Sequence, residues 1–146
     1  MAVVGVGALG EHHSRIYSEL PEAELVSVVD SDPERLHPLA QLYHCEAFQS
    51  YEDILDSVEA ISLAVPTRQH AQIGVEFLKR GVHVLVEKPI APDLEDAAAL
   101  IQAQEESGAI LQVGHSERFN PAFLAIREHI TQPRFFEAHR LGVFVP

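Results

Sequence analysis

Short, unbroken apolar runs alternate with longer amphipathic stretches along almost the whole chain. Ala2–Gly7 reads as a buried strand, and Gly10–Leu20 as a helix with Ile16 and Leu20 on one face. Glu24–Asp30 (ELVSVVD) is a β-branched strand. Asp32–Tyr43 is a helix, with Asp32 placed to cap it and Pro33 at its first position. Ala47–Gln49 forms a short strand, and Ser50 caps a small helix near Tyr51–Asp56. Ala60–Val65 (AISLAV) is a strand that stops at Pro66. Thr67–Arg80 is a helix closed by Gly81, and Val82–Glu87 (VHVLVE) is the next strand. Asp93–Ser107 is an Ala-rich helix closed by Gly108, and Ile110–Gly114 is again a strand. Asn120–Ile130 reads as a helix and Phe135–Val145 as a longer strand.

Strands that stay apolar without alternating belong to a parallel sheet covered by helices on both faces. The order strand–helix–strand, repeated, therefore predicts an α/β fold. No repeat, low-complexity segment or flexible linker interrupts it. The last segment, RFFEAHRLGVFVP, differs: it alternates in places and ends abruptly. A lone strand there would be an exposed edge, prone to self-association. The chain is thus expected to be the front part of a longer protein.

Composition narrows the function classes. The chain has 146 residues, enough for one domain with a real core, and 47% of them are hydrophobic, as in ordinary soluble domains. A net charge of −12 argues against nucleic acid or an anionic membrane surface as partner. It does not argue against a small anionic ligand, which local backbone dipoles can hold. Cys45 is the single cysteine, so no internal disulfide forms. The nine histidines show no zinc-type spacing with cysteine or acids, so no metal site is expected. No apolar run is long enough to span a membrane and no signal peptide is visible, which leaves a cytoplasmic location as the default.

The glycines bring in chemistry. Gly5-x-Gly7-x-x-Gly10 follows the first strand and opens a helix, and Asp30 ends the second strand 20 residues after Gly10. That is the context of the dinucleotide fingerprint of a doubly wound, Rossmann-type sheet. Gly5 permits the tight turn, Gly7 lets the backbone approach a pyrophosphate, and Gly10 lets helix and strand pack closely. Ala8 and Leu9 offer N–H groups at the helix N-terminus. Asp30, with Ser31 beside it, would bind the adenosine ribose. Its charge repels a 2′-phosphate and no arginine follows directly, so NAD is expected over NADP. A plain turn with a capping aspartate is the alternative.

Two further strand ends carry candidate residues, where open α/β sheets bind ligands. AVPTRQH places Ala64, Val65 and Pro66 at one such end. His70, one turn into the next helix, either faces the cofactor or is a core or surface histidine. VEKPIAP places Glu87 and Lys88 at the end of an otherwise apolar strand. A lysine serves as general acid/base when its pKa falls from about 10.4 toward neutrality. A nearby nicotinamide cation favours that fall. A solvated Glu-Lys ion pair is the alternative.

With GVGALG, the acid at Asp30, VPT..H over 65–70 and EKP over 87–89, the chain resembles the glucose–fructose oxidoreductase/inositol dehydrogenase/MocA family. The resemblance is close over residues 1–120. It implies a catalytic or substrate-binding role for Lys88, a place beside the nicotinamide ribose for Glu87, and a cis Lys88–Pro89 bond. It implies a packing role for His13. VGHSERFNPA, 113–122, looks like the nucleotide-sugar branch, the UDP-N-acetylglucosamine 3-dehydrogenase-like enzymes. Glu117, Arg118 and Asn120 would then face the sugar or its diphosphate. Equally, Asn120 caps the helix at Pro121 and Arg118 pairs with Glu117. The family carries a second α/β domain that supplies an Asp/His motif facing the lysine, and no histidine here is placed to replace it. Residues 1–118 are thus expected to form the NAD-binding domain. Residues 119–146 would supply the crossover helix and first strand of a substrate and oligomerisation domain, through which the whole protein forms a homo-oligomer. The implied activity is an NAD-dependent sugar dehydrogenase acting on a nucleotide sugar. Inositol or a free sugar is the alternative substrate, and a dinucleotide-binding regulator or an inactive fragment the alternative class.

Overall fold

Six short strands form one parallel sheet: β1 (Ala2–Val4), β2 (Ser27–Val29), β3 (Glu46–Phe48), β4 (Ala60–Leu63), β5 (His83–Val86) and β6 (Leu111–Val113). Their order across the sheet is β3-β2-β1-β4-β5-β6. The structure is a computed structural model that describes residues 1–132, 134, 135, 137 and 139. The chain divides into two units, Met1–Gly114 and His115–Pro146, and the sheet belongs to the first. The boundary expected after residue 118 falls inside a 3-10 turn of the second unit, Ser116–Phe119.

The central strands β1, β2 and β4 are buried on both faces, which is why they read as apolar runs. Val3 joins Val28, Leu36 and Leu39 in one cluster. Its neighbours Ala2 and Val4 join Ile61, Leu63, Phe77 and Leu100 in another. The pleat sends successive side chains to opposite faces, so a short strand serves two cores at once. Helices α1 (Ala8–Glu19) and α2 (Pro33–Tyr43) pack together, as do α3 (His70–Lys79) and α4 (Leu94–Ser107). Phe77 of α3 is fully buried, a burial that stabilises the domain by about 1.5–3 kcal/mol.

Caps set the helix ends. The Asp32 side chain accepts the Glu34 N–H at 3.0 Å to start α2, and Asp93 accepts the Asp96 N–H at 2.9 Å to start α4. Gly108 ends α4 in the left-handed region, as expected, whereas α2 ends on His44 at a φ of 53°. Several elements are shorter than the sequence predicts, β2 at Ser27–Val29 and β4 at Ala60–Leu63 among them. The first strand stops at Val4 because Gly5 turns into the left-handed region at a φ of 86°. The helix expected from Thr67 starts at His70, after a 3-10 turn over Thr67–Gln69 that closes with Gln69 N–H donating to the Pro66 carbonyl at 2.8 Å.

In the second unit, α5 (Pro121–Arg127) is shorter than the helix expected over Asn120–Ile130. The strand expected over Phe135–Val145 lies, for most of its length, outside the described residues. Among the described residues no helix is long and apolar enough to cross a membrane.

Candidate active site

The sheet reverses its winding between β1 and β4, and a crevice opens at the carboxyl ends of strands beside such a point. There a cleft of about 750 Å³ is lined by Gly5, Gly7, Ala8 and Leu9, by Asp30 and Ser31, and by Ala64, Val65 and Pro66. Three segments singled out from the sequence thus meet at one place. Arg35, Gln49, Tyr51 and Arg68 line it as well, and the sequence reading missed them. The available signal was position: each follows a strand's carboxyl end by a few residues.

The three glycines are used differently. A Cβ on Gly5 would sit 2.8 Å from the Val65 backbone nitrogen and 2.9 Å from the Ala64 carbonyl, on a backbone already at positive φ. A Cβ on Gly10 would overlap the Gly5 carbonyl oxygen, so its absence lets α1 approach β1. Gly10 therefore does not line the cleft. A Cβ on Gly7 would meet nothing within 4 Å. The protein itself leaves that side chain room, and only a group lying in the cleft would contest it. Gly7 is also the N-cap of α1 with no side-chain cap, so first-turn N–H groups are left for an anion.

Asp30 ties this turn to β2. Its Oδ2 accepts the Val6 N–H at 2.8 Å and its Oδ1 accepts the Asp32 N–H at 2.9 Å. A carboxylate has about four acceptor positions, so room for two ribose hydroxyls remains. Arg35 Nε sits 3.1 Å from Asp32 Oδ2. Tyr51 donates its hydroxyl to Glu76 Oε1 at 2.9 Å, and burial with the Glu76 charge pushes the phenol up to about 12, so it stays neutral. An open glycine cradle, free N–H groups and an acid at the second strand's end fit a dinucleotide.

His70 fits the core alternative that the sequence left open, not a place on the cleft wall. It is 1% exposed and does not line the cleft. Its Nε2 lies 3.0 Å from the Val65 carbonyl oxygen, and its Nδ1 lies 3.1 Å and 3.2 Å from those of Pro89 and Ile90. One buried ring thus joins the loop after β4 to the loop after β5. The Lys88–Pro89 bond within the latter is cis, as the family resemblance implied.

Lys88 is exposed just past the end of β5. Glu87 is turned inward and does not line the cleft either. Its Oε2 accepts the Lys88 N–H at 3.0 Å, and its Oε1 lies 3.2 Å from His13 Nε2. The other ring nitrogen of His13, Nδ1, lies 2.6 Å from Ser62 Oγ on β4. Burial lowers the His13 pKa, and Glu87 opposes that shift. His13 therefore does more than pack.

In the second unit, Asn120 Oδ1 accepts the Ala122 N–H at 2.9 Å and Asn120 Nδ2 donates to Glu117 Oε2 at 2.9 Å. Asn120 caps α5 and also holds Glu117. Among the described residues no group of histidine, cysteine and acids could hold a metal.

This strand order, with a glycine turn and a strand-end acid opening on the switch-point cleft, defines an NAD-binding domain of the Rossmann class. The chain belongs to the glucose–fructose oxidoreductase/inositol dehydrogenase/MocA family: residues 1–115 match the family described as "Oxidoreductase family, NAD-binding Rossmann fold". It is 37% identical over 145 residues to a UDP-N-acetylglucosamine 3-dehydrogenase of Acidithiobacillus ferrooxidans, which covers 99% of this chain and 46% of that protein. It is 34% identical over 134 residues to an inositol 2-dehydrogenase of Rubrobacter xylanophilus, covering 89% of this chain and 39% of that one. Among solved structures, the WlbA dehydrogenase of Bordetella pertussis in complex with NADH and UDP-GlcNAcA superposes with a TM-score of 0.84 at 31% identity, over 92% of this chain and 42% of that one. The chain thus spans less than half the length of these relatives.

Proposed function

We propose that the whole protein oxidises a ring hydroxyl of a UDP-N-acetylhexosamine to the 3-keto sugar, with Lys88 as general base. The observation that carries this reading is the exposed Lys88 at the carboxyl end of β5, next to the strand whose end forms one wall of the dinucleotide cleft. Bound NAD supplies the hydride acceptor. Gly5, Gly7, Ala8 and Leu9 hold the pyrophosphate, Asp30 and Ser31 the adenosine ribose, and Ala64, Val65 and Pro66 the wall toward the nicotinamide. Lys88 takes the hydroxyl proton. The nucleotide sugar is favoured by the relative that shares 37% identity and by the WlbA complex. The inositol 2-dehydrogenase relative supports inositol as the second reading.

The test is NADH formation by the whole protein from NAD with UDP-N-acetylglucosamine or with myo-inositol, beside Lys88→Met. Turnover of the nucleotide sugar, lost in Lys88→Met with NADH binding kept, supports the proposal. Turnover of myo-inositol alone replaces the substrate. Tight NADH binding without turnover of either overturns both substrate readings.

A further inference from the structure

Three polar groups, two buried and one half-buried, meet from three elements far apart in the chain. Ser62 is fully buried in β4, Glu87 is 9% exposed after β5, and the His13 side chain on α1 is 13% exposed. The ring bridges the other two, through Nδ1 at 2.6 Å and Nε2 at 3.2 Å. Buried polar groups persist where they are paired, and here the pairing is directional. If Ser62 donates to Nδ1, the neutral ring carries its proton on Nε2 and donates it to Glu87. Glu87 Oε1 is then held by His13 while Oε2 accepts the N–H of Lys88, at 3.0 Å. Gly114 clears the space: a Cβ there would lie 2.8 Å from Glu87 Oε1. Ser62 is no nucleophile, since no solvent or substrate reaches it. The chain of groups ends on the backbone from which Lys88 projects.

We infer that His13 is a positioning residue for Lys88, acting through Glu87. The inference rests on the reading of Lys88 as the base and adds a residue that touches neither cofactor nor substrate. The ring's Nε2–H fixes the carboxylate, and the carboxylate fixes the first peptide of the lysine-bearing loop. The amide variants separate this from packing. A glutamine at position 13 places its donor where Nε2 stands, whereas an asparagine reaches only to Nδ1.

The experiment uses the whole protein with NAD and whichever of UDP-N-acetylglucosamine or myo-inositol it oxidises. His13→Asn is expected to lower kcat at least about tenfold, with KM for NAD and NADH affinity within about threefold of wild type. His13→Gln is expected to restore kcat to within about threefold. In a Glu87→Gln background, His13→Asn is expected to cost little more, because the path is already cut. Equal losses in the two amide variants, or losses that multiply with Glu87→Gln, overturn the inference. Lys88→Met keeps the two readings apart. Turnover retained there overturns the Lys88 reading. An inactive Lys88→Met beside a fully active His13→Asn overturns the His13 inference alone.

Discussion

Asp30 Oδ2 accepts the Val6 N–H at 2.8 Å, so the acid proposed to hold the ribose also pins the glycine turn that would cradle the pyrophosphate. Asp30→Asn turns an N–H toward either Val6 or Asp32, and both are donors. The whole protein is expected to bind NADH about 10–100-fold more weakly, the cost of losing one or two charge-assisted hydrogen bonds. Discrimination against NADPH is expected to narrow, since the repelling charge is gone. Calorimetric titration with both dinucleotides measures each effect.

Gly7 and Gly10 are expected to fail in different ways. Gly7→Ala meets no protein atom within 4 Å, so it is expected to cost under about 1 kcal/mol of stability. It is expected to weaken NADH binding at least about tenfold, or 1.4 kcal/mol. Gly10→Ala drives a methyl into the Gly5 carbonyl and is expected to cost about 1–3 kcal/mol or more in urea unfolding. A Gly7→Ala protein that binds NADH normally would remove that residue from the pyrophosphate cradle.

The pH dependence of stability has a definite sign at His13. Burial, opposed by the Glu87 charge, holds its pKa below the ordinary 6.5, and the His12 charge adds slightly to the lowering. The unfolded chain therefore takes up this proton first as pH falls. The contribution to stability is complete well above 6.5 and is lost as pH drops toward the folded value. Between about pH 7 and pH 5 the thermal midpoint of wild type is expected to fall more steeply than that of His13→Gln. Parallel slopes would mean that His13 takes up its proton equally in both states.

Asp93 offers a test of the scaffold away from the cleft. Its side chain caps α4 by accepting the Asp96 N–H at 2.9 Å. Asp93→Ala is expected to cost about 0.5–2 kcal/mol and to leave NADH affinity unchanged. Denaturant midpoints and the same titration read both.

Asp30 was legible by its spacing from the glycines. The glycine turn and the fourth strand were legible because their patterns are local, although that strand ends at Leu63 and not at Val65. Asp32 and Asn120 were legible as caps for the same reason. His70 was not, because its partners are carbonyls of Val65, Pro89 and Ile90, brought together by the loop at the cis Lys88–Pro89 bond. Nor was the link from Ser62 to Glu87. It depends on β4 and β5 pairing with Ser62 opposite Leu85, which puts Glu87, two residues on, toward the same face. A faint signal existed: Ser62 is the one polar residue in AISLAV. Arg35 and Arg68 went unassigned because position after a strand's end does not by itself say which side chains line the cleft.

The buried ring of His70 has a consequence for anyone who would rebuild this protein. One imidazole lies between the Val65 carbonyl and those of Pro89 and Ile90, so the loops after β4 and β5 share a buried side chain. A transplant of the lysine-bearing loop into another scaffold has to carry the histidine along. A graft of the Val65 loop alone would arrive without the anchor that keeps it in register with its neighbour.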